Sequence, residues 1–141
     1  MNAYARSADA YLSQRILGTS PEQQAALIME AGQLHLGRAI QALIQNDLSA
    51  ATQSYIRVSE VIQEATLRLN REGGGELAQN LAKLYDWWMR VVMDASRTRD
   101  TNRLAAVAQG MGEVRQAWEE CHRKKVGSEA GAAFQFGDRV G

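Results

Sequence analysis

Glu119 and His122 in "EECH" have the Glu-x-x-His spacing with which helical bundles hold paired iron or manganese ions. A complete site of that kind needs two such pairs and two further glutamates. The other histidine is His35, and Gly32 stands where its glutamate would have to be. The ligand set is therefore incomplete, and His122 reads as a helix-end histidine. Cys121 adjoins His122, but consecutive side chains diverge on a helix, so adjacency makes no nucleophile–base pair. Cys121 reads as a flank cysteine. Glu60 and Glu64 share a solvated helix face with nothing to suggest a pocket for acid–base work. Asp86 and Arg90 have the i,i+4 spacing of a surface ion pair. The run "REGGGE" lacks the lysine and hydroxyl residue of a phosphate loop and follows no strand, so it reads as a turn. Arg123, Lys124 and Lys125 suit the negative end of a helix. No catalytic residues, no metal site and no cofactor are expected.

The remaining signal is apolar, and it depends on the elements that carry it. A chain of 141 residues, 45% of them hydrophobic, is the size of one domain able to bury a core. Sixteen basic and sixteen acidic residues cancel, so no global field draws the chain to nucleic acid or an anionic membrane. No apolar run approaches the roughly 20 residues of a membrane span. The N-terminus lacks a signal-peptide pattern. These features, with the single Cys121, point to a cytoplasmic protein.

Pro21 is the only proline, and most glycines fall at segment ends or in the tail. Long helices follow. "TSPEQ" opens the first: Ser20 as N-cap, Pro21 at the first helical position, and Gln23 able to complete a capping box. This helix runs to about Gln45, and Asp47 can cap the next. Leu48, Ala51, Tyr55, Val58, Ile62, Ala65 and Leu69 alternate steps of three and four, which keeps one seam on a helix. A third stripe joins Leu77, Leu81, Leu84, Trp88, Val92 and Ala95, and a fourth joins Leu104, Val107, Met111, Val114 and Trp118. Arg115 lies near this fourth seam, where it could snorkel or hold a carbonyl. The expected fold is all-α: an antiparallel four-helix bundle over 20–125, preceded by an N-terminal arm, 1–19, and followed by a flexible glycine-rich tail, 126–141.

Several apolar residues fall where such a core does not need them. Consecutive helix residues point about 100° apart, so a stripe centred on Trp88 leaves Trp87 at its border, at most half covered. A seam centred on Val58 puts Ile56 and Leu67 on the opposite side. A first-helix seam through Ala25, Met29, Gly32, Leu36 and Leu43 leaves Leu27, Ala31 and Leu34 facing away. The N-terminal arm could cover some of these and leave the rest scattered, or they could line grooves that accept amphipathic helices of a partner.

"NAY", "AYLSQ", "TSPEQ", "GGELAQNLAKLYDWWMR" and "MGEVRQAW", in order from about residue 2 to 120, resemble the FliS family of flagellin export chaperones. The resemblance implies a cytoplasmic, non-enzymatic helical bundle that binds the C-terminal segment of flagellin. It further implies that the bundle prevents premature polymerisation and delivers the segment to a component of the flagellar type III export apparatus. In that family the segment folds into helices on the bundle, and the N-terminal arm can cover part of the site. Carried over, Tyr4 and Tyr11 match the arm tyrosines, Ser20 and Pro21 the helix-opening motif, Leu84, Tyr85 and Asp86 the leucine-tyrosine-aspartate motif, and Trp118 the closing tryptophan. The chain departs from the pattern at "LIMEAG", with Met29 at a tyrosine position, and at Trp87 and Trp88, where tyrosine and methionine are usual. The expected partner-binding set is Tyr4, Tyr11, Leu27, Ala31, Leu34, Ile56, Leu67 and Trp87. The client-free protein is expected to be a monomer or weak homodimer, with no nucleic acid bound and no membrane insertion. The alternative is a helical-bundle adaptor for another secreted or regulatory helix.

Overall fold

The computed structural model describes residues 20–72 and 75–140, with side chains over 20–69 and 75–127. Four helices follow one another: α1 Pro21–Ile44, α2 Leu48–Glu72, α3 Gly75–Thr98 and α4 Thr101–Val140. There is no strand among the described residues. The expected arm, with Tyr4 and Tyr11, lies outside the described residues. α4 continues as helical backbone past Lys125, the boundary that the charge pattern sets for the bundle.

Ser20 caps α1 as its sequence requires. Its hydroxyl accepts from the Gln23 N–H at 3.2 Å, and its own N–H donates to Gln23 Oε1 at 3.1 Å, a complete capping box. Two of the connections share one device. Asn46 just past α1 has φ 58° and Arg99 just past α3 has φ 56°, both left-handed. The next residue then bonds back: Asp47 N–H to Ala42 O at 2.8 Å, and Asp100 N–H to Ala95 O at 3.1 Å. Each of these aspartates also caps the helix that follows, Asp47 Oδ1 accepting from Ala50 N–H and Asp100 Oδ1 from Arg103 N–H. One aspartate thus closes one helix and opens the next, so the turn is short. A turn this short forces neighbouring helices antiparallel.

The helices form a closed ring in which α1 packs on α2 and α4, and α3 packs on α2 and α4. Cross-helix pairs fix the antiparallel sense: Gln24 with Arg68 and Gly32 with Val61 between α1 and α2, and Ser20 with His122 and Gly32 with Met111 between α1 and α4. The seams meet in one core containing Met29, Leu36, Val58, Ile62, Trp88, Val92, Leu104, Val107 and Met111. Trp88 is 2% exposed and Trp87 is 53% exposed, as the centre and the border of one stripe require. Tyr85 stacks on Trp88 with ring centroids 5.3 Å apart. Trp118 is only half-buried and borders the same cluster beside Tyr85, Met29 and Leu69. Leu84 is half-buried against the core. Leu77 and Leu48 depart from their seams and are exposed, each lying in the first turn of its helix at an end of the bundle.

α1 buries more than its seam. Ala26, Leu27, Ile28 and Met29 are all buried, although four consecutive residues span the whole circumference of a helix. Leu27, expected to face away, is therefore covered. The reason is that α4 runs along the first turns of α1, where Glu119, His122 and Arg123 border the same groove as Leu27.

Candidate functional site

The expected partner-binding residues that are described, Leu27, Ala31, Leu34, Ile56, Leu67 and Trp87, lie in four places on the bundle. Ile56 and Leu67, each about half exposed, lie on α2, and Leu67 lines an open groove of about 430 Å³ between α2 and α3. Leu34 stands exposed on the outside of α1, with Ala31 half-covered near it. Leu27 lines a second groove, about 530 Å³, between α1 and α4. Trp87 lies on the side of α3 turned toward α4. Asp94, two turns further along the same stripe, reaches across to Arg103 of α4.

The α2/α3 groove is the more apolar of the two. Ile62 and Tyr85 form its floor, Leu67 and Met89 its walls, and Ala82 leaves space for close approach. Its polar lining is Gln63, Thr66 and Asp86, and the Thr66 hydroxyl is already spent on the Ile62 carbonyl at 2.9 Å. Periodicity singled out Leu67 but not Met89, which lies about 100° from the centre of the α3 stripe, on the border opposite Trp87. What reveals it is the neighbouring helix.

The α1/α4 groove is mixed in charge, bordered by Glu30, Glu119, His122 and Arg123. It lies at the start of α1, where four groups hold the two helices together. Ser20 Oγ and His122 Nδ1 are 2.9 Å apart, and Lys125 Nζ is 3.6 Å from Glu22 Oε1. The Glu22 carboxyl is held below the usual carboxylate range by a backbone N–H at the helix start, with Lys125 and the Ser20 hydroxyl adding to this against partial burial. The sequence places His122 at a helix end; its partner, 102 residues away, is visible only in the fold.

The carboxylates weighed for chemistry are engaged in ion pairs. Glu119 pairs with Arg115 at 3.5 Å, so Arg115 meets a carboxylate one turn on. Glu60 pairs with Arg57 at 3.1 Å and Glu64 with Arg68 at 3.2 Å. Asp86 and Arg90 form the expected surface pair at 3.1 Å. Lys124 pairs with Glu120, and Cys121 is exposed. Among the described residues no three His, Cys, Asp or Glu side chains gather as a metal would require. Nor is any helix there long and apolar enough to cross a membrane.

Fold and site together define a class: an all-α four-helix bundle whose surface carries an apolar groove between α2 and α3 and exposed large apolar side chains on three helices. The sequence matches the family described as "Flagellar protein FliS" over residues 3–125. The chain belongs to that family. It is 26% identical over 110 residues to the flagellar secretion chaperone FliS of Salmonella typhimurium, covering 77% of this chain and 82% of the relative. It is 29% identical over 108 residues to the chaperone of the same name from Bacillus subtilis, covering 76% and 80%. Its similarity to the flagellar secretion chaperone FliSB of Pseudomonas aeruginosa is 26% over 105 residues, covering 74% and 83%. Residues 126–141 lie beyond the family match.

Proposed function

We propose that this protein is a cytoplasmic, non-enzymatic export chaperone. It binds the C-terminal segment of flagellin, prevents premature polymerisation and hands the segment to the flagellar type III export apparatus. The match to the FliS family over residues 3–125 carries this reading. The exposed Leu34, Ile56, Leu67 and Trp87 support it, because single apolar residues on a surface are ordinary but several on three helices of one bundle need a use.

The mechanism is mass action and steric cover. A chaperone holding the polymerising segment competes with subunit-to-subunit contacts in proportion to its free concentration and affinity. A client that folds on binding carries an ordering cost of about 2–5 kcal/mol, so the contact must bury a large apolar area to offset it. The test is calorimetric titration with the C-terminal flagellin segment from the same source, together with circular dichroism of the mixture. One-to-one binding with gain of helix and a large negative heat capacity change is expected. A folded protein that gives neither heat nor added helix with this segment would remove the reading and point to another secreted or regulatory helix as client.

A further inference from the structure

We infer that the outward face of α3 is an interface with a second copy of this chain. α3 pairs antiparallel with α3 of the copy about a twofold axis at the level of Trp88, on the side of the helix away from the core, and Asp86 of each copy meets Arg90 of the other. The inference concerns the chain without a client and stands apart from the client-binding reading above.

The register comes from a second stripe on α3. Gln79, Lys83, Asp86, Arg90, Met93 and Arg97 follow at steps of four, three, four, three and four, on the face turned away from Trp88, and all six are exposed. These steps read the same in both directions about Trp88. An antiparallel copy therefore lays the stripe on itself over about 27 Å, with Asp86 opposite Arg90, Lys83 opposite Met93 and Gln79 opposite Arg97. Trp87 and Met89 flank the same centre at equal distance, so the indole of each copy faces the thioether of the other, a contact that sulfur and aromatic rings favour. Trp87, 53% exposed, and Met93, 62% exposed, both leave water in this arrangement.

Charge selects a copy as the occupant. The Asp86–Arg90 pair, at 3.1 Å, is exposed at 67% and 70%, so it is weak within one chain. Between two copies each carboxylate lies between two guanidinium groups, and the four charges form a neutral cluster flanked by Trp87 and Met89. No other charges of like sign face each other: Lys83 lies over Met93, Arg97 over Gln79, and Asp94 is held within its own chain by Arg97 and Arg103. α2 lacks this self-complementarity. Its exposed stripe, Gln53, Ile56, Glu60, Gln63 and Leu67, has Glu60 at its centre, so the same pairing of α2 would set Glu60 against Glu60. Within one chain Glu60 is paired with Arg57 at 3.1 Å. A contact through one helix of each copy is smaller than the roughly 1,200–2,000 Å² of a stable interface, so the dimer is weak and concentration-dependent.

Sedimentation velocity of the full chain without client, over a concentration series, tests this. A monomer–dimer equilibrium is expected. Trp87→Ser should raise its dissociation constant about tenfold or more while leaving helix content unchanged. Asp86→Lys and Arg90→Asp should each be monomeric alone, because each sets two like-charged pairs across the axis. An equimolar mixture of the two should dimerise, because the mixed pair restores both opposite-charge contacts. If either reversal lowers helix content, the chain carrying both keeps its charges balanced and should dimerise as the parent does. A parent chain that stays monomeric throughout the series would overturn the inference, as would dimers that persist in Trp87→Ser and in both reversals. A mixture of the reversals that stays monomeric beside a dimerising parent would overturn the Asp86–Arg90 contact. Loss of the dimer in Leu34→Asp, with the α3 variants unaffected, would place the contact on α1 and overturn the inference as well.

Discussion

Replacing Gly32 with alanine should destabilise the bundle, and the same replacement at Gly37, further along α1, should stabilise it. Alanine is favoured over glycine in a helix interior by about 1 kcal/mol, and this gain applies at both positions. At Gly37 nothing lies within 4 Å of an added Cβ, so the gain stands alone. At Gly32 the new Cβ would sit 2.5 Å from Met111 Sδ and 3.2 Å from both Met111 Cε and Val61 Cγ1. Met111 is 0% exposed, so its thioether moves only by displacing other core atoms. Overpacking of this kind costs about 1–3 kcal/mol, which leaves Gly32→Ala destabilised by about 0–2 kcal/mol after the helix gain is subtracted. The propensity gain cancels between the two variants, so their difference of about 1–3 kcal/mol isolates the contact. Urea denaturation followed by circular dichroism measures it, with equal m-values as the check that only stability has changed. Equal midpoints for the two variants would refute the reasoning. They would show that Met111 yields freely and that the missing side chain at Gly32 does not set how closely α1 approaches α4.

The two tryptophans should separate in the same assay. Trp88→Ala should cost about 3–5 kcal/mol as a buried aromatic, and Trp87→Ala less than about 1 kcal/mol, because half of its surface already faces water. Ser20→Ala should cost about 1–2 kcal/mol through loss of the cap, and amide exchange should quicken in the first turn of α1. The cross-helix contact with His122 is lost as well. Asp94 is held below the usual carboxylate range by hydrogen bonds from Arg103 and Arg97. Its contribution is therefore complete above the unfolded value of about 4 and is lost as pH falls through the lower folded value. Asp94→Asn should flatten that part of the acid limb in stability measured against pH while leaving the neutral-to-alkaline dependence unchanged. An unaltered acid limb would show that Arg97 and Arg103 do not hold the carboxylate.

The sequence by itself determined the helices, most of the core and the unequal roles of Trp87 and Trp88. Those features depend on residues within one or two turns of each other. The Ser20 capping box, the cap at Asp47 and the three-and-four spacing from Ala51 to Leu69 are local, and local geometry is written in spacing. Only the tertiary structure decided which apolar residues share a surface. Leu67 gains Met89 and Asp86 as neighbours across one groove because α3 lies beside α2, and Trp87 is separated from them because its side of α3 turns toward α4. Leu27 is buried because α4 runs along the first turns of α1 beside it, so the buried arc of α1 is wider there than its own seam. The contacts of Ser20 with His122 and of Asp94 with Arg103 join helices whose relative placement periodicity does not encode. A helix's own sequence states which face is apolar; how much of that face is covered, and by what, depends on the packing of the others.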